Sequence, residues 1–318
     1  MSDNLWVSWE THTRTRSISR ELNINLVELV SKQHRIIKYI VLSVKTIFLL
    51  VQQNPNVLIV QNPSIVLGYL SVFLKPIFRY KLIMDCHNGA LYPLEGESPL
   101  LNKLAQWLIS KSNYAVVTND ELAEKVVSLQ GNPIVLNDPI PNFEYAEDKL
   151  SKSKNRKVTL IATWAEDEPI LEFLEATSSI DNVDFFVTGK LKNLGLKVEY
   201  NSINFPGFVS TEDYIKLISS SDLIVDLTTR ENCLVCGAYE AVGVNVPMLL
   251  SNTASLRATF DYGAVFCENT VEGIELGINQ ALSQLDILKP DIRKMKDIHM
   301  KRWKKNSLVL KKELEIYE

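Results

Sequence analysis

The sequence predicts an α/β protein built from two successive domains, and three observations predict it. Short β-branched runs alternate with longer helix-period segments along almost the whole chain, the pattern of mostly parallel sheets covered on both faces. The alternation breaks once, at residues 137–156, where Pro139 and Pro141 precede a charged run, and then resumes. A length of 318 residues also suits two domains at roughly 100–200 residues each.

In the first half the strand signals are the apolar runs at 5–8, 57–60, 81–85, 114–118 and 134–136. Helical patterns at 31–53, 64–75, 99–111 and 121–130 fall between them. In the second half strands are expected at 158–163, 184–188, 223–227, 247–250 and 264–266, and helices at 169–177, 211–219, 234–242 and 271–285. Pro169 suits the first turn of its helix, where no amide proton is needed. Residues 1–140 form the first domain, 141–156 a linker, 157–288 the second domain and 289–318 a long C-terminal helix. No sequence repeat relates the halves.

A net charge of −4 argues against a general nucleic-acid binder. Cys86, Cys233, Cys236 and Cys267 do not make a disulfide framework, and the lone C-x-x-C has no further ligands at zinc spacing. It reads as two small residues at the start of a packed helix. The first residues are polar and acidic with no basic segment before the apolar run, so no signal peptide is expected. The most apolar stretch, 36–51, carries Lys38 and Lys45 and is short for a membrane span, so it reads as an amphipathic or buried helix. These features predict a soluble, cytoplasmic chain. The tail is basic from Arg293 to Lys305 and holds Trp303. Either it rests on an acidic membrane surface, making the protein peripheral at the inner face, or it packs across both domains with its basic face in water. The second is favoured, because charge runs are usually solvated faces.

Ligands of open parallel sheets bind beyond the carboxyl ends of the strands, so the loops that follow strands carry the chemistry. After residue 8 come Glu10, His12, Arg14 and Arg16. Glu10 or His12 could act as a general base at neutral pH, and an arginine could hold phosphate. The plainer reading is a capped helix start with its charges in water. After 81–85 come His87, Asn88 and Gly89, suited to hydroxyl-rich ligands or to a local Asx turn. After 158–163 come Glu166, Asp167 and Glu168, for which complementing a helix dipole is sufficient explanation. Gly189 and Lys190 follow 184–188 and suit a phosphate. The loop after 223–227 is the richest: Arg230, Glu231, Asn232, Cys233, Leu234, then a helix with Gly237 and Glu240. Free amides at such a helix start bind diphosphate. Asn232, Cys236 and Glu240 recur at four-residue spacing and are expected on one helical face. A buried Glu240 needs partners, and ribose hydroxyls would serve. No G-x-G-x-x-G follows the first strand, which argues against a dinucleotide dehydrogenase.

The segment 221–266 resembles the donor-binding region of the GT-B glycosyltransferases, the superfamily that includes glycosyltransferase family 4. In G-A-Y-E-A-V-G-V-N-V-P, Glu240, Gly243 and Pro247 match the second half of that family's E-x7-E region. The first half departs: the matching position is Asn232, with Glu231 one residue off. I-M-D-C-H-N-G, T-W-A-E-D-E-P and F-V-T-G-K are similar, in the same order, to elements of the chitobiosyl-diphosphodolichol β-mannosyltransferase family. The resemblance implies two Rossmann-like domains facing a cleft, with the C-terminal helix returning to the first. It implies a nucleotide-sugar donor on the second domain, with Lys190 and Arg230 toward the diphosphate and Glu240 toward the ribose. Asn232 and the backbone of Cys233, Leu234 and Gly237 would form the anion pocket. The acceptor, a carbohydrate or lipid-linked molecule, falls to the first domain, with Glu10, His12 and His87 as catalytic candidates and Arg14 and Asn88 as contacts. Positive side chains and a helix dipole make a metal or other cofactor unnecessary in this reading. Two alternatives stand beside it: a non-catalytic partner subunit of another glycosyltransferase, and a nucleotide-sugar 2-epimerase on the same scaffold.

Overall fold

The computed structural model describes residues 4–62, 64–143, 155–190 and 203–316. Most of the expected linker therefore lies outside the described residues. The chain divides into two compact units, Met1–Pro139 with Arg302–Glu318, and Ile140–Lys301.

The first unit runs β1 (Asn4–Ser8), α1 (Thr13–Glu21), β2 (Asn25–Glu28), α2 (Arg35–Gln53), β3 (Val57–Asn62), α3 (Ile65–Phe78), β4 (Lys81–Cys86), α4 (Asn88–Leu91), α5 (Pro99–Lys111), β5 (Tyr114–Val117), α6 (Asp120–Ser128) and β6 (Pro133–Val135). Its strands pair in the order β2-β1-β3-β4-β5-β6, every pair parallel. Strands such as V-L-I-V-Q-N are buried throughout because both faces are covered. Leu5, Val7, Leu58 and Val60 pack on one face with Leu42, Leu67, Leu108 and Leu122 of α2, α3, α5 and α6. Trp6, Val57 and Ile59 pack on the other with Ile18 of α1 and with Leu310 and Leu314 from the C-terminal segment.

The second unit runs β7 (Arg156–Leu160), α7 (Ile170–Ala176), β8 (Val183–Thr188), β9 (Ile203–Gly207), α8 (Thr211–Ser219), β10 (Leu223–Asp226), α9 (Cys236–Val244), β11 (Met248–Ser251), α10 (Ala254–Thr259), β12 (Ala264–Cys267), α11 (Val271–Ser283) and α12 (Leu285–Glu313), whose end belongs to the first unit. Its parallel order is β12-β11-β10-β7-β8-β9, the order of dinucleotide-binding sheets. The strand order reverses between β1 and β3 in the first sheet and between β7 and β10 in the second. A crevice for ligand opens beyond the carboxyl ends of the strands at such a reversal.

Two strands depart from expectation, β2 and β9, and both are edges. A half-exposed edge needs no continuous apolar run, and β9 (I-N-F-P-G) carries a proline that only an edge tolerates. In α12, Ile292 and Met295 lie in the second unit's core, while Trp303 packs against the first unit's core cluster. The aromatic of the basic tail therefore faces inward. Trp303, the anchor the membrane reading would use, is half-buried against that cluster.

Candidate active site

In the first unit the carboxyl ends of β1, β3 and β4 gather a polar cluster. Ser8 bonds Gln61 of β3, and Gln61 Nε2 donates to Glu10 Oε1 at 3.2 Å. Glu10 itself is exposed. His12 caps α1 through its extended backbone (φ −142°) and not through its side chain, which leaves the imidazole for other work. Its ring meets that of His87 edge-on, centroids 4.3 Å apart. Nε2 of His87 stands 3.4 Å from Oδ2 of Asp85, and Asn88 opens α4 directly afterwards.

Asp85 is wholly buried on β4, where Arg14 Nε reaches its Oδ1 at 3.2 Å. Arg14 also bonds Asp138 and the carbonyl of Leu136, the latter at 2.9 Å. The expected phosphate contact through Arg14 is thus not what the structure shows: the guanidinium is buried and committed to two carboxylates. Beside it, Asp85 is held well below the usual carboxylate range despite its burial. Burial, and then the neighbouring His87, lower the pKa of His12, so its imidazole stays neutral at pH 7. A neutral imidazole at a strand end, with Nδ1 buried and without a hydrogen-bond partner among the described residues, is suited to accept a proton.

In the second unit the loop after β7 is built by its own carboxylates. Glu168 accepts from the amides of Thr163, Trp164 and Ala165, at 2.7–3.2 Å. Trp164 takes a left-handed backbone (φ +63°), and its Nε1 donates to the carbonyl of Thr188 at 2.9 Å. Gly189 has φ +81°, and a Cβ there would stand 2.3 Å from the carbonyl oxygen of Ala162, so only glycine fits. Lys190 follows it, exposed. Asp167 accepts from Thr228 Oγ1 at 2.8 Å and pairs with Arg230 at 3.2 Å, joining the loops after β7 and β10.

Helix α9 begins at Cys236, later than expected, so Glu231, Asn232, Cys233 and Leu234 belong to the connection before it. Of the three residues expected on one helical face, only Cys236 and Glu240 share it. Glu240 accepts a hydrogen bond from Tyr214 on α8, and burial pushes its carboxyl up. The amide of Gly237 donates to Asp226 Oδ2 at 2.7 Å, so this expected anion donor already holds a carboxylate. A Cβ on Gly237 would lie 2.4 Å from that same oxygen.

Asp226 is buried with Glu240, Glu168 and Asp167 nearby, and desolvation raises its pKa well above the ordinary value. An acid whose folded pKa is raised stabilises the protein below its unfolded value, about 3.9, and loses that contribution as pH climbs through the folded value. Asp226→Asn keeps an acceptor for Gly237 without the buried charge. The variant is expected to be more stable than the parent at pH 8 by on the order of 1 kcal/mol, about 2–4 °C in melting temperature. The gap should close as pH falls toward 4. A variant less stable than the parent across that range would contradict a buried, destabilising carboxylate.

Sequence reasoning left Asp85, Asp138, Tyr214 and Asp226 without roles. For Asp85 and Asp226 the signal was present: an aspartate at or next to the end of an apolar parallel strand, in I-M-D-C and I-V-D.

No family model and no curated protein matches this chain. Solved structures do. The Anabaena protein Alr3699/HepE, crystallised with UDP and glucose, matches with a TM-score of 0.75 at 11% identity, over 99% of this chain and 100% of that one. Sucrose-phosphate synthase from Thermosynechococcus elongatus matches with a TM-score of 0.77 at 11% identity, over 97% of both chains. A Listeria monocytogenes protein described as a UDP-N-acetylglucosamine 2-epimerase matches with a TM-score of 0.60 at 12% identity, over 91% and 90%. The likeness to family 4 and to the β-mannosyltransferases rests on the short motifs alone. Matched nearly end to end by these structures, with two units of six parallel strands each, the chain has the GT-B fold.

Proposed function

We propose that this protein is a glycosyltransferase that moves a sugar, of hexose type, from a nucleotide sugar to a carbohydrate or lipid-linked acceptor. The observation that carries this reading is the β10–α9 connection. It lies at the strand-order reversal of the second sheet and leads from Arg230 to a helix whose Glu240 is half-buried beside Tyr214. In the proposal Glu240 holds the ribose, while Lys190, Arg230 and the amides before Gly237 face the diphosphate. The solved complexes of HepE with UDP and UDP-glucose make a UDP-hexose the first donor to test. His12 takes the acceptor proton. No metal is required, because side-chain cations and the helix start offset the diphosphate charge.

Thermal unfolding against UDP, GDP, ADP, CMP and dTDP tests the donor site. A nucleotide at about 100 times its Kd should stabilise the native state by roughly 2.7 kcal/mol. The shift should persist in EDTA and vanish in Glu240→Ala while that variant keeps a cooperative melting transition. An unchanged shift in that variant would remove Glu240 from the site.

One observation favours a second reading. Asp226 already occupies an amide at the start of α9, where a diphosphate-binding enzyme would keep its donors free. A non-catalytic partner of another glycosyltransferase would show that feature and no nucleotide-dependent shift. An epimerase would convert a single sugar nucleotide with no acceptor present.

A further inference from the structure

Helix α2 is apolar on two faces. Leu42, Thr46 and Leu50 are buried, and the Thr46 hydroxyl accepts a hydrogen bond from Trp9 Nε1 at 3.0 Å. On the opposite side Ile36, Ile40, Val44, Phe48 and Val51 are each 61–66% exposed. At about 100° per residue these five fall within about 120° of one another, so they form one continuous stripe. The adjacent α3 adds Phe73 and Ile77, 65% and 69% exposed. Scattered exposed apolar residues need no explanation, but a contiguous stripe of this kind marks an interaction surface.

The charge pattern identifies the occupant. The chain as a whole is acidic, yet no Asp or Glu occurs between Glu28 and Asp85. Over that stretch stand Lys32, Arg35, Lys38, Lys45, Lys75, Arg79 and Lys81. Lys38 and Lys45 lie on the helix flank beside the stripe, where their stems can follow the apolar surface and their ammonium groups reach outward. Basic residues bordering an apolar stripe with no acidic residue fit an anionic lipid leaflet. A protein partner would give no reason for so complete an exclusion of acids.

Among the described residues α2 is the one helix long and apolar enough to cross a membrane. Crossing is incompatible with its place in the fold, since its inner face is part of the first unit's core. We propose that α2, with the edge of α3, is a monotopic docking surface that lies in the plane of an anionic membrane, its outer stripe among the acyl chains. The inference stands independently of the donor site and of the reaction.

The test is co-sedimentation of the full chain with two sets of vesicles, phosphatidylcholine alone and equal parts phosphatidylcholine and phosphatidylglycerol. The protein should sediment with the anionic vesicles, far less with the neutral ones, and less as salt rises. Val44→Glu with Phe48→Glu should reduce partitioning by on the order of tenfold or more, with an unchanged melting temperature because both side chains are exposed. Leu276→Glu, an equally exposed apolar residue on α11, should bind as the parent does. The proposal is overturned if the parent stays in the supernatant with anionic vesicles, or if the α2 variant sediments like the parent. It is also overturned if the parent is oligomeric in solution and the α2 variant monomeric, which would make the stripe a protein interface.

Discussion

His12→Ala is expected to lower kcat by about 10²–10⁴ while leaving the nucleotide-induced thermal shift of the parent intact. The expectation follows from two features of the site. Nδ1 of His12 is buried without a hydrogen-bond partner among the described residues, and the ring is kept neutral by burial and by His87. A neutral imidazole is basic enough to take a hydroxyl proton as the glycosidic bond forms, and it is not occupied by a structural bond. The pH profile carries a second signature. The acid limb of kcat/KM should lie below 6.5, because the free-enzyme value of His12 is depressed. His87→Ala removes a cause of that depression and should move the limb upward. A His12→Ala enzyme retaining half its kcat would pass the base role to Glu10, which is exposed and accepts a hydrogen bond from Gln61.

Arg14→Met is expected to destabilise the protein by about 3–5 kcal/mol, the cost of leaving buried carboxylates without their cation. Urea denaturation at pH 7 measures it. Asp85 is fully buried and Asp138 largely so, and the Arg14 guanidinium pairs with both, with His87 also beside Asp85. The pH dependence should reverse in sign. In the parent, Asp85 has a folded pKa below its unfolded one, so its contribution is present above about 3.9 and is lost as pH falls toward the folded value. Without Arg14 the dominant influence on Asp85 is burial, which raises its pKa, and the variant should recover stability as pH falls from 7 to 5. A loss under 1 kcal/mol would mean that the Arg14 cluster is not a structural anchor, and its exclusion from ligand contact would need to be reconsidered.

Much of the scaffold was legible because parallel strands buried on both faces must be continuous apolar runs, and V-L-I-V and L-I-V-D can be little else. Edge strands escape this logic. N-L-V-E in β2 satisfies only a half-covered sheet and leaves no run to read. At the site, the residues at strand ends were legible as a set, but their uses were not. Arg14 and His12 sit two positions apart in one loop, yet the helical turn that begins between them sends one inward to Asp85 and leaves the other beside His87. Asp138 is separated from Arg14 by more than a hundred positions, and no local pattern could link them. Burial depth is a tertiary property, and it decided which charged residue became an anchor and which remained available for chemistry.

The first unit is discontinuous in sequence, and that fact bears on how the protein is made. Its core includes Leu310 and Leu314, and Asn4 on β1 donates to the carbonyl of Leu314. A ribosome adding roughly 5–20 residues per second releases the second unit as an uninterrupted stretch, while the first waits with an open flank over Trp6 and Ile59 until Leu310 and Leu314 have been made. The second-born half can therefore complete its fold before the first-born half, and a nascent chain stalled before Leu310 presents a greasy surface to chaperones and proteases.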